Sequence, residues 1–130
     1  MVNEEYEELL EKQNITKTSN IIYGTNIPMP KQIIVTPKKT NINFEETQGY
    51  FFYFDEKGIT LYPLHRDDYA IIHWEEVEDF KIKHVLIIGK MTIKTKNATY
   101  KFQINRKVIG CPWIKENTKY LESYNYFYNK

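Results

Sequence analysis

Hydrophobic and polar positions alternate with a period of two from Gln48 to Ile104, then recur every three or four residues after Pro112. The first pattern puts successive side chains on opposite faces of a strand, and the second puts them on one face of a helix. Strands are predicted at 48–55, 58–64, 69–74, 79–86, 89–95 and 98–104. Glu56-Lys57-Gly58, the polar run from His65 to Asp68, and Lys96-Asn97 supply turns, while Glu75-Glu76-Val77 breaks the alternation. In the last three strands Phe80, Ile82, His84 and Leu86, then Met91 and Ile93, then Tyr100, Phe102 and Ile104 share one face. Such clean alternation belongs to a sheet with one wet side. A further strand is predicted earlier, at 31–36, ended by Pro37.

The two ends of the chain read differently. Asn3 is a good N-cap, and the glutamates after it suit the first turn of a short helix over 4–13. Residues 14–30, rich in Asn and Thr and without a period, predict an irregular connector. At the other end, Trp113, Asn117, Tyr120, Leu121, Tyr124, Phe127 and Tyr128 form one stripe of an amphipathic helix of about four turns. Tyr126 falls off that stripe. The chain therefore divides into a helix and connector, 1–30, and a β-rich domain, 31–130.

Composition agrees with a mainly β, α+β chain. Alanine, the best helix former, occurs only at Ala70 and Ala98, against 11 tyrosines and 7 phenylalanines. At 130 residues, one domain can hold a core without disulfides, and the single cysteine allows none within the chain. No apolar run approaches the length of a membrane-spanning helix, and the acidic first residues lack a signal-peptide core. A cytoplasmic location is the expectation.

An aromatic strand, then GITLYPL, then a strand ending in HWEEV, then a lysine-alternating hairpin resembles the bacterial pleckstrin-homology-like domains. The resemblance runs from about Lys31 to Tyr124 and includes Trp74-Glu75-Glu76-Val77, which matches an element common after the family's fourth strand. It departs from the eukaryotic relatives in placing Trp113 in the first turn of the final helix. What the resemblance implies is a curled antiparallel barrel or sandwich of about seven strands, with the helix, anchored by Trp113, over one open end. It also implies interaction surfaces without fixing a ligand. Relatives that bind phosphoinositides use basic residues in the first inter-strand loop, here Lys38-Lys39.

No constellation predicts catalysis, a metal or a cofactor. Cys111, between Gly110 and Pro112, reads as a small apolar residue at a strand-to-helix corner. His65, His73 and His84 match no compact metal motif, and the acid pairs Asp67-Asp68 and Glu75-Glu76 lie in turns. The five glycines are too dispersed to cradle a phosphate.

Charge order is what stands out. Residues 40–80 hold ten acids against Lys57 and Arg66, whereas residues 81–115 hold nine bases and no acid. Parity places Lys81, Lys83, Lys90, Lys94 and Lys101 on the wet face, with Lys94 expected opposite Lys83 or Lys81. Such a face is solvated, or docks the protein's own acidic helix or a second copy, or meets an external anion. The expected function is a non-enzymatic binding or scaffold module that takes a protein partner or self-associates. The alternative is a peripheral binder of anionic lipid surfaces that uses Lys38, Lys39 and the lysine face. Nucleic acid is disfavoured by two arginines and a net charge of +1. Tyr124, Tyr126, Phe127 and Tyr128 are the candidates for self-association into a dimer.

Overall fold

A computed structural model describes residues 2–30 and 32–129. Helix α1 (Val2–Lys12) leads through a 3₁₀ turn into β1 (Ile21–Asn26). The short strands β2 (Ile33–Val35) and β3 (Asn41–Asn43) form a separate hairpin. Strands β4 (Gly49–Phe54), β5 (Gly58–Pro63) and β6 (Ala70–His73) follow, then a 3₁₀ turn at Trp74–Glu76. Strands β7 (Val77–Val85), β8 (Ile88–Thr95) and β9 (Thr99–Asn105) precede helix α2 (Pro112–Ser123). The main sheet has seven antiparallel strands in the order β6-β5-β4-β1-β9-β8-β7.

Two expectations about the first half of the chain are overturned. The central strand β1 lies inside the stretch read as an irregular connector, so a division at residue 30 cuts through the sheet. Its alternation is hidden because both of its faces are covered: Ile22 faces the main core, while Ile21 and Tyr23 face a second cluster beneath α1. A buried strand reads as a run without a period. Gly24 belongs here for a local reason, since a Cβ on it would meet the carbonyl of Gln103 in β9. The predicted strand at 31–36 exists over Ile33–Val35 but pairs only with β3 and never joins the main sheet.

The sheet is curled, yet it does not close into a barrel. All seven strands send side chains into one cluster, among them Ile22, Phe52, Leu61, Ile72, Phe80, Met91 and Phe102. A flat sheet cannot do this, and the three-residue link from β6 to β7 draws the two edges together. Those edge strands are not hydrogen-bonded to each other. The predicted barrel is corrected to an open, curled sheet.

Helix α2 differs from expectation in length and in the packing of Trp113. Helix α2 stops at Ser123, because Asn125, Tyr126 and Phe127 adopt φ of 50°, 54° and 64° and turn the chain back. Leu121 and Tyr126 enter the main core, and the Asn117 side chain donates to the carbonyls of Thr18 (2.8 Å) and Ile21 (2.9 Å). Trp113 does not reach that core. It stacks on Tyr6 of α1 at 3.7 Å between ring centroids and donates through Nε1 to Asn3 Oδ1 at 3.0 Å. The reason is helical geometry: with Ile114 and Leu121 facing inward, the neighbouring Trp113 faces α1.

Candidate functional site

The lysine face exists as parity requires. In β7, β8 and β9 the alternate positions Phe80, Met91, Ile93, Phe102 and Ile104 are buried, so Lys81, Lys83, Lys90, Lys94 and Lys101 stand on the opposite side. The register differs from expectation. Lys83 pairs with Lys90, Lys81 with Thr92, Thr92 with Lys101, and Lys94 with Asp79. A two-residue turn at Leu86-Ile87 sets this offset, and a bulge between Val77 and Asp79 shifts only the far end of the hairpin. The like-charge pair across the hairpin is therefore Lys83 with Lys90, and Lys94 is the lysine that faces an acid.

Among the described residues, Lys81 has Asp79 at 3.4 Å, and Lys83, Lys90, Lys94 and Lys101 have no acidic side chain in ion-pair contact. The glutamates of α1 do not cover them. Helix α1 lies instead on the outer face of β1, β4 and β5, where Tyr6 packs with Ile21, Phe51 and Trp113. There Glu5 meets His65 Nδ1 at 3.3 Å and Lys12 pairs with Asp67. Lys38 and Lys39 lie in the β2–β3 turn, apart from the lysine face. Lys39 has φ 64°, and Lys38 Nζ donates to the carbonyl of Asp67 at 3.4 Å, in the β5–β6 connection. Beside it, Arg66 pairs with Asp68, which also accepts from Thr40 Oγ1 at 2.6 Å.

The four aromatic residues of the tail are split. Tyr126 is buried against Phe54 (5.3 Å) and Phe80 (5.8 Å), and burial pushes its phenol well above the usual range. Tyr128 packs on Trp74 and Phe80, both at 5.5 Å. Tyr124 is exposed and Phe127 stacks on it at 5.8 Å. The left-handed turn brings Tyr126 inward despite its place off the helical stripe.

His84 is mostly buried, with Nε2 at 3.2 Å from Glu122 Oε1, an oxygen that also receives Arg106 at 2.9 Å. Among the described residues its buried Nδ1 has no hydrogen-bond partner, so a proton there lacks an acceptor. Burial, with Arg106 adding to it, lowers the His84 pKa against the opposing pull of Glu122. Cys111 is buried, which pushes its thiol up and leaves it a poor nucleophile. No cluster of three or more His, Cys, Asp or Glu able to hold a metal occurs among the described residues.

One surface was not legible from the pattern. Leu86, predicted to face the core, forms the β7–β8 turn with Ile87, has φ 57°, and is 87% exposed. Val85, Ile87 and Ile88 beside it are exposed too, and Ile109 in the β9–α2 loop is 95% exposed. The available signal was the spacing itself. Two strands two residues apart demand a turn, and here the turn falls on an unbroken apolar run, Val85 to Ile88. Helix α2 adds Lys115 and Lys119, which with Arg106 and Lys107 line a shallow pocket shared with Leu86 and Ile87. Comparison with protein-family models finds no match to the chain, and comparison with curated proteins finds none either.

Proposed function

We propose that the chain is a non-enzymatic docking module of the pleckstrin-homology-like kind, whose lysine face on β7–β9 takes an acidic protein partner. The order of elements supports the fold side of this reading. A four-strand meander (β1, β4, β5, β6) and a three-strand meander (β7, β8, β9) share one curled sheet, and a C-terminal helix packs on its core. The observation that carries the functional side is a lysine face compensated at Asp79 alone among the described residues. Lys83 stands directly opposite Lys90, an arrangement that works against the fold; among the described residues Asp79 is the acid in ion-pair contact with this face, and the glutamates of α1 lie elsewhere. A surface that keeps such a pair gains from an external anion.

The test replaces Lys81, Lys94 and Lys101 with glutamate. These three lie away from the β7–β8 turn and leave the core positions untouched. The expected variant keeps its melting temperature within a few degrees and no longer captures, from a native lysate, the acidic proteins that the parent captures. The same set captured by both chains would sink the reading.

A further inference from the structure

We propose that the β7–β8 hairpin tip is a membrane-inserting wedge, which buries Val85, Leu86, Ile87 and Ile88, with Ile109, at the surface of an anionic bilayer. The starting point is the concentration of exposed aliphatic side chains. Five of the nine large hydrophobic residues exposed in the described chain belong to this one end. The Arg106 N–H donates to the Ile87 carbonyl at 2.8 Å, which ties the β9–α2 loop carrying Ile109 to the turn. Leu86 holds φ 57° at the first central position of the turn, a slot that hairpins of this length give to glycine. A leucine there is strained and does not pack on the core, so its side chain serves neither the turn nor the interior.

Charge names the occupant. Lys83 and Lys90 lie two residues behind Val85 and Ile88 on the same face of the hairpin. At a rise of about 3.3 Å per residue they stand roughly 7 Å behind the tip. Aliphatic groups enter an interface by about 5–10 Å, so these ammonium groups reach headgroup depth when the tip is buried. Lys107, Lys115 and Lys119 extend the collar through the pocket of about 330 Å³ beside Leu86 and Ile87. The acids nearby are Glu122, which is occupied by Arg106 and His84, and Glu116, beside Ile109 in the adjoining depression. Five lysines without an acidic partner therefore surround the apolar tip among the described residues. A second copy is a poor fit, because two such collars would face each other with like charge. A convex aliphatic point inside a cationic ring fits a bilayer that carries anionic lipid.

The two surfaces share Lys83 and Lys90, but this one needs none of Lys81, Lys94 or Lys101, so the two tests fail separately. The experiment sediments the full chain with vesicles of phosphatidylcholine alone and with vesicles containing about one-third phosphatidylserine. The parent is expected to bind the second kind only, and more weakly in high salt. The pair Leu86→Gly with Ile87→Ser should weaken binding about a hundredfold while the melting temperature holds. Lys107→Glu with Lys115→Glu, a change away from the strained turn, should weaken it as well. The proposal is overturned if the parent binds neither vesicle, or if either double variant sediments as well as the parent. It is equally overturned if the parent ignores vesicles and is a dimer that the tip variant converts to monomer, which would make the tip an interface between copies.

Discussion

Leu86 carries a branched side chain in the left-handed region, at φ 57°, and gains no buried contact in return. Backbone of this kind costs a non-glycine residue on the order of 1–2 kcal/mol. Leu86→Gly relieves that strain while adding unfolded-state entropy, two effects of similar size. The expected melting temperature is equal to or above the parent's; a fall of several degrees would show that Leu86 makes native contacts after all. His84 gives a prediction of opposite kind. Its pKa is lowered from 6.5, so the native state disfavours the proton that the unfolded state accepts. Unfolded chains then bind more protons as pH falls through about 6.5, and stability is present above that value and lost below it. Thermal melts of the parent and of His84→Asn, taken from about pH 7.5 to about pH 5, check the sign. The parent should lose more stability on acidification than the variant. Equal losses would mean that Glu122 offsets the burial of the imidazole.

At the scale of elements, α1 is held mainly by aromatic contact. Tyr6 touches both Phe51 of β4 and Trp113 of α2, so one ring pair clamps the helix over the outer face of the sheet. Trp113→Ala should destabilise by about 2 kcal/mol, below the range for a fully buried tryptophan because this one is only partly buried. Amide exchange in α1 should quicken far more than in β4. Uniform quickening would mean that the clamp belongs to the main core. The same arrangement explains what the sequence could and could not reveal. Strands β7 to β9 were legible, including which lysines face outward, because they have one wet side and so alternate. Strand β1 was not, because α1 dries its outer face and removes the alternation. The register of the β7–β8 hairpin was hidden for another reason: Leu86-Ile87 has none of the Asn-Gly chemistry that marks a turn. The tail escaped similarly, since Asn125, Tyr126 and Phe127 take positive φ without a glycine to announce it.

Across the whole molecule, the near-neutral total conceals two regions of opposite sign. Acids gather on α1 and around the β5–β6 connection, where Lys12, His65 and Arg66 partner several of them. Among the described residues the β7–β9 side has no such compensation beyond Asp79, so its electrostatics are set by cross-strand register. Two single substitutions separate that register from the simple count of charges. Lys83→Glu turns the pair with Lys90 from like to opposite, whereas Lys94→Glu sets a glutamate against Asp79. Each variant lowers the net charge by the same amount. If only the total mattered, both would move stability in one direction. The register requires opposite signs, with Lys83→Glu gaining and Lys94→Glu losing about 0.5 kcal/mol each at low ionic strength. These are exposed pairs, so both shifts should shrink towards zero at about 1 M salt, where the screening length is only about 3 Å. Chemical denaturation in urea is the suitable measurement, because guanidinium would itself supply the screening ions. Shifts of the same sign for the two variants would show that the lysine face acts as an undivided field of charge, with no direct opposition between Lys83 and Lys90.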